Sequence, residues 1–135
     1  MRRAKIAVFV SGGGTNLQAL IDAQRAGRLA SGEIVLVLAS RGDAYALTRA
    51  AKHEIPTAVV QRKDYGSQEV YEAELVRLMR AYEIDLIVLA GFMSILSKDF
   101  TDRFPKRILN IHPSLIPSFC GKGFYGIHVH EEALR

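Results

Sequence analysis

Apolar residues along the chain fall into two alternating patterns. Short runs rich in apolar and β-branched residues occur at 6–10, 34–38, 57–60, 86–90 and 107–111, each the length of a strand. Between them the apolar positions spread to a spacing of three and four. Leu17, Leu20 and Ile21 form such a stripe in a helix predicted from Thr15 to about residue 26, and Thr15-Asn16-Leu17-Gln18 reads as a capping box at its start. Asp43 is placed to cap a second helix running to about His53. Ser67 opens the longest helix, in which Tyr71, Leu75, Leu78, Met79 and Tyr82 share one face, and 97–104 reads as a short helical turn. The run at 86–90 has no polar alternation, which predicts a strand buried on both faces. Strict alternation of strand and helix predicts an α/β fold: an open, mainly parallel sheet with helices on both faces.

At 135 residues the chain suits one domain, and with 49% hydrophobic and 24% charged residues it can bury a core as a soluble protein. No apolar run approaches the ~20 residues that span a bilayer, so no membrane partner is expected. The basic start, Met1 to Lys5, runs into a strand and glycines, which does not read as a signal peptide. Cys120 is the one cysteine, so a reducing, cytoplasmic setting is expected, with Cys120 an ordinary loop thiol. The net charge of +4 is scattered, with no stripe of cations interleaved with aromatics. That argues against nucleic acid and favours a small anionic ligand. There is no repeat, low-complexity tract or linker. Residues 128–135 read as a helix with no stop signal, so the chain is expected to be part of a longer one.

Ligands of open parallel sheets bind outside the carboxyl ends of the strands. Three segments belong there: Ser11-Gly12-Gly13-Gly14-Thr15-Asn16, Gly91-Phe92-Met93-Ser94, and Leu109 to Pro117. Strand, glycines and helix start make a phosphate cradle, because backbone N–H groups and the helix dipole both favour an anion. Leu17 stands where a dinucleotide fingerprint needs its third glycine, and no Gly-Lys-Ser/Thr follows, so a single phosphate fits better. In the late segment Asn110 and His112 lie two apart on an extended stretch, facing one side while Leu109 and Ile111 face the core. Pro113 favours extended geometry at His112. An amide beside an imidazole can stabilise an oxyanion and move a proton, as acyl transfer requires. A buried histidine bonded to a carbonyl would give the same pattern. His128 and His130 diverge on a helix and lack partners at zinc-ligand spacing, so no metal is expected. His53 reads as a helix end beside the negative end of the dipole.

Three motifs in order, "SGGGTNLQALIDA", "DLIVLAGFMSIL" and "LNIHPSLIPSF", resemble the folate-dependent phosphoribosylglycinamide formyltransferases (glycinamide ribonucleotide transformylases) over nearly the whole chain. The resemblance implies a Rossmann-like formyltransferase fold, with residues 1–135 one catalytic domain whose C-terminal part lies beyond residue 135. It implies transfer of a formyl group from 10-formyltetrahydrofolate, as co-substrate, to the amine of glycinamide ribonucleotide in purine biosynthesis. Asn110 would donate to the oxyanion and His112 would act as general acid. Gly14, Thr15 and Asn16 would hold the ribose phosphate. Gln68, Met93, Ser94, Ile95, Leu96 and Asn110 would meet the folate. The partners implied are small molecules, with the protein a monomer or homodimer. Where the family carries arginines this chain has Gln68 and Ser94, which removes planar cations able to meet folate or its carboxylates. "CGKGFYG" lengthens the loop after Pro117, and the family's catalytic aspartate and mobile folate loop fall beyond Arg135, so residues 1–135 alone are expected to turn over poorly.

Formyltetrahydrofolate deformylase shares the Asn-x-His pair but carries a preceding regulatory domain, for which no room is read before Lys5. Methionyl-tRNA formyltransferase has a different first loop. An NADP-binding oxidoreductase could place Ser40 and Arg41 on a 2′-phosphate, against which the missing third glycine counts. A non-catalytic binding fragment would keep the glycine loop and show no dependence on His112.

Overall fold

The computed structural model describes residues 4–27 and 32–111. Five parallel strands, β1 (Ala4–Val10), β2 (Gly32–Ala39), β3 (Thr57–Val59), β4 (Leu86–Ala90) and β5 (Ile108–Ile111), form one sheet in the order β3-β2-β1-β4-β5. Helices α1 (Thr15–Arg25), α2 (Tyr45–Lys52), α3 (Gln68–Ala81) and α4 (Lys98–Asp102) alternate with them, and a 3-10 turn at Arg62–Asp64 leads into α3. The alternation predicted from the sequence is therefore the observed one, with boundaries shifted by one or two residues.

The period of two along each strand divides the core. Ile6, Val8 and Val10 of β1 join Val88, Ala90, Leu109 and Ile111 on the face covered by α1 and α2, through Leu17, Leu20, Ile21, Ala46 and Ala50. Ala7, Phe9, Ile87 and Ile108 point to the opposite face, where Tyr71, Leu75 and Met79 of α3 and Phe100 of α4 lie over them. The central strands are thus buried on both sides, which explains why their sequences do not alternate. The expected α3 stripe is present: Tyr71, Leu75 and Met79 are buried, with Leu78 and Tyr82 packed beside them.

Helix starts divide by chemistry. Ser67 accepts from the Val70 N–H at 3.2 Å and Ser97 from the Phe100 N–H at 3.2 Å, so both serines cap as their positions imply. The capping box expected at Thr15 is not formed. Thr15 is the first helical residue, and the N-cap is Gly14 at φ 81°, with no side-chain cap. Asp43 likewise does not cap α2; Ala44 is the N-cap, and Asp43 is held by Arg41 through two bonds of 3.0 and 2.9 Å. In both cases a competing geometry wins, a left-handed glycine in one and a bidentate ion pair in the other. His53 is the C-cap of α2, as expected.

The strand order reverses between β1 and β4. From β1 the chain runs outward to β2 and β3, then returns to place β4 on the other side. The crevice at such a switch opens between the loops following the two strands. Here those loops are the glycine segment and the stretch from Gly91 to Ser97.

Candidate active site

The loop after β1 is built for close approach. Gly14 is left-handed, and a Cβ on it would lie 2.6 Å from the Ala46 Cβ and 2.8 Å from the Ala46 Cα, so only glycine lets α2 seat against this turn. The Ala46 N–H donates to the Gly12 carbonyl at 3.1 Å and Arg49 Nε to the Gly13 carbonyl at 2.7 Å. These bonds consume the loop's carbonyls from below. On the other side α1 starts with the Gln18 N–H donating to the Gly14 carbonyl at 2.8 Å, and no side chain caps the preceding N–H groups. Thr15 and Asn16 sit at that end, where a helix offers backbone donors to an anion.

A buried hydroxyl joins this loop to the one after β4. Ser11, 3% exposed, shares a hydrogen bond of 2.6 Å with Ser40 at the end of β2 and accepts the Met93 N–H at 2.7 Å. Three strand ends are therefore tied at one atom. Sequence reasoning placed Ser11 in the glycine segment but missed this tie, because its partners lie 29 and 82 residues away and nothing local marks them.

The segment from Met93 to Leu96 splits in orientation. Met93 and Ile95 are 82% and 80% exposed, while Leu96 packs into the core under α3 and α4. Ser94 shares a 2.9 Å hydrogen bond with the Tyr71 hydroxyl. Burial pushes the Tyr71 phenol up, partly opposed by that bond, so it stays protonated and can donate. A cavity of about 640 Å3 lies below this segment, bounded by Leu89, Phe92, Ser94, Leu96, Phe104 and Ile108 among others. Its wall is apolar along β4 and β5 and carries Lys98, Thr101, Asp102 and Lys106 on the side of α4.

Gln68 does not face that cavity as a free amide. Its Nε2 donates to Glu72 at 2.7 Å and to the Ile95 carbonyl at 2.9 Å, and its Oε1 accepts from Arg62 at 3.0 Å. Glu72 in turn accepts from the Ser97 N–H at 2.6 Å and the Ser97 hydroxyl at 2.5 Å. Burial pushes the Glu72 carboxyl up, but the bonds from Ser97 and Gln68 outweigh it and hold it below the usual carboxylate range. The pair braces the Ile95–Ser97 backbone against α3. Glu72 also escaped sequence reasoning, although a signal exists: it is three and seven residues before Leu75 and Met79, on the apolar stripe itself.

Asn110 is paired with Leu89 across β4 and β5, while Leu109 and Ile111 are buried on the opposite face. It therefore shares the sheet face of Leu89 and Ile108, level with Leu89 and two residues beyond Ile108 toward the carboxyl end. The expected alternation about Asn110 is observed. His112, Pro113, Cys120, "CGKGFYG", His128 and His130 lie outside the described residues. Among the described residues no cluster of three or more histidine, cysteine or acidic side chains could hold a metal. No helix there is long and apolar enough to cross a membrane.

Comparison with known proteins agrees with this geometry. The formyl transferase family matches over residues 4–135. The phosphoribosylglycinamide formyltransferase of Haemophilus influenzae is 45% identical over 121 residues, covering 90% of this chain and 57% of that protein. The trifunctional purine biosynthetic protein adenosine-3 of Drosophila melanogaster is 45% identical over 135 residues, which are 99% of this chain and 10% of the fly protein. Among solved structures, the phosphoribosylglycinamide formyltransferase of Brucella melitensis superposes with a TM-score of 0.79 at 40% identity, covering 98% of this chain and 66% of that one. This chain thus spans little more than half of the single-function bacterial relative and a tenth of the fly protein.

Proposed function

The chain belongs to the formyl transferase family, and from that premise we propose that it transfers a formyl group from 10-formyltetrahydrofolate to the amine of glycinamide ribonucleotide, a step of purine biosynthesis. Residues 1–135 contribute to one catalytic domain, acting on small molecules in the cytoplasm. The nucleotide's phosphate lies on the loop of Gly14, Thr15 and Asn16. The pteridine end of the donor lies in the cavity beneath Met93 to Leu96, with Ile95 and Met93 closing over it.

The observation that carries this reading is the Ser11 hydroxyl, which bonds Ser40 and the Met93 N–H. It holds an anion-binding loop and an apolar cavity on the same edge of the sheet, as a transfer between an anionic acceptor and a ring-bearing donor requires. Chemistry follows from the end of β5. The substrate amine attacks the formyl carbon, forming a C–N bond and placing negative charge on the formyl oxygen. The Asn110 amide donates to that oxygen. Collapse breaks the bond between the carbon and the donor nitrogen, which takes a proton from His112, while the attacking nitrogen loses one to solvent water, from which His112 is reprotonated. Bond making and breaking both occur on the substrates, so no nucleophile on the protein is needed.

The reading is tested by tetrahydrofolate release from 10-formyltetrahydrofolate, followed with and without glycinamide ribonucleotide on the full-length protein. Release that requires the nucleotide is expected. Release at the same rate without it would mean that water is the acceptor, and the proposal would fall to a deformylase.

A further inference from the structure

Arg49 of α2 is bound to the glycine loop by more than one group. Its Nε donates to the Gly13 carbonyl at 2.7 Å and its Nη1 to the Gln18 Oε1 at 3.3 Å, while its guanidinium carbon stands 5.0 Å from the centre of the Tyr45 ring. These contacts fix the plane of the guanidinium against the loop. The Gly13 carbonyl is the one that α1 leaves over, because the first helical bond, from the Gln18 N–H, goes to the Gly14 carbonyl. Among the described residues only Arg49 donates to it.

The peptide bonds here are trans, and in a trans peptide the N–H points opposite to the C=O before it. A Gly13 carbonyl drawn toward α2 by Arg49 therefore turns the Gly14 N–H away from α2. The Ala46 N–H, through the Gly12 carbonyl, does the same for the Gly13 N–H. Two carbonyls that would repel an anion are held behind the loop, and the donors that would attract it stand in front. Arg49 makes no ion pair among the described residues, so its charge adds to that field. We propose that Arg49 is a positioning residue for the substrate's phosphate: without touching the anion, it sets the Gly13–Gly14 peptide so that the Gly14 N–H meets it, and it places a positive charge behind the loop. The inference rests on the proposed function for the anion's identity as the ribose phosphate of glycinamide ribonucleotide. Gln18 serves the same arrangement, accepting from Arg49 while its amide donates to Asp22 at 3.0 Å.

The experiment compares calorimetric binding of glycinamide ribonucleotide and of glycinamide riboside, which has the same sugar and amine and no phosphate. It uses the full-length protein and its Arg49→Met and Arg49→Lys variants. Methionine keeps the apolar stem and removes the donor and the charge, whereas lysine keeps the charge and one donor. Arg49→Met should weaken the nucleotide about three- to tenfold and leave the riboside unchanged. Arg49→Lys should recover part of that loss, and raising salt should shrink the difference between parent and Arg49→Met. In turnover the change should fall on the nucleotide's KM, with kcat retained. Equal weakening of nucleotide and riboside by Arg49→Met would mean that Arg49 only braces α2, and would overturn the assignment. So would unchanged nucleotide binding in Arg49→Met. Formyl transfer by the unsubstituted protein is measured in parallel. Transfer without a phosphate-dependent effect of Arg49 sinks this inference alone, whereas a phosphate-dependent effect without transfer sinks the proposed function alone.

Discussion

Replacing Gly14 with alanine tests the link between the glycine loop and the fold around it. The residue sits at φ 81°, where an L side chain costs about 1–2 kcal/mol. The added methyl would also meet the Ala46 Cα at 2.8 Å and its Cβ at 2.6 Å. Neither atom is the end of a flexible chain, so α2 must move, at the ~1–3 kcal/mol typical of overpacking. The two contributions add to about 2–5 kcal/mol of lost stability, or a fall in Tm of roughly 8–20 °C for a domain of this size. Urea unfolding followed by circular dichroism measures it directly, with Gly13→Ala as the control. A Cβ on Gly13 would meet nothing within 4 Å, and its φ is not left-handed. That variant should stay within about 1 kcal/mol of the parent. If Gly14→Ala proves as stable as Gly13→Ala, the close seating of α2 on this loop is wrong. The description of the anion cradle would then go with it.

Glu72→Gln should cost about 1–3 kcal/mol at neutral pH, since it weakens the bonds from Ser97 and Gln68 at a site 7% exposed. Because the folded Glu72 carboxyl lies below its unfolded value, the stability it lends is present above the unfolded carboxylate pKa and fades as pH falls through the folded one. Acid titration of unfolding should therefore show a shallower loss below about pH 4 in the variant than in the parent; parallel curves would contradict the assignment. Ser11→Ala should cost ~1–2 kcal/mol and speed hydrogen exchange at the Met93 amide, which loses its acceptor. Unchanged protection at Met93 would dissolve the tie between the two loops. Phe100→Ala, at a site 1% exposed beneath α4, should cost ~3–5 kcal/mol by denaturant unfolding. A cost under about 1 kcal/mol would mean that α4 is not packed on the sheet as described.

Much of the fold was legible because the central strands are buried on both sides and carry their identity in apolar runs. Leu86 to Ala90 needed no partner information to be recognised. The caps at Ser67 and Ser97 were equally local, a hydroxyl three residues before the N–H it accepts. Local rules failed where two segments compete for one group. Thr15 and Asp43 both have capping side chains, yet the φ of Gly14 and the guanidinium of Arg41 decide those turns. In the site, the glycine loop and the side of the sheet that Asn110 faces follow from motif and period two. The bonds that organise the site do not, because Ser11 to Met93 and Gln68 to Ile95 span 82 and 27 residues. Gln68 illustrates the difference: motif position names it as a candidate, while its bonds to Glu72, Ile95 and Arg62 are visible only in the structure.

The central claim is that Asn110, at the carboxyl end of β5, stabilises the oxyanion of a formyl transfer between two bound substrates. The direct measurement follows a labelled formyl carbon from 10-formyltetrahydrofolate into the amide of formylglycinamide ribonucleotide, in single turnovers of the full-length protein and of Asn110→Ala. The account predicts label in the nucleotide for the parent and a rate constant lowered about 100- to 1000-fold in the variant, with nucleotide affinity retained. Label released as formate, or an unchanged rate in Asn110→Ala, would contradict it.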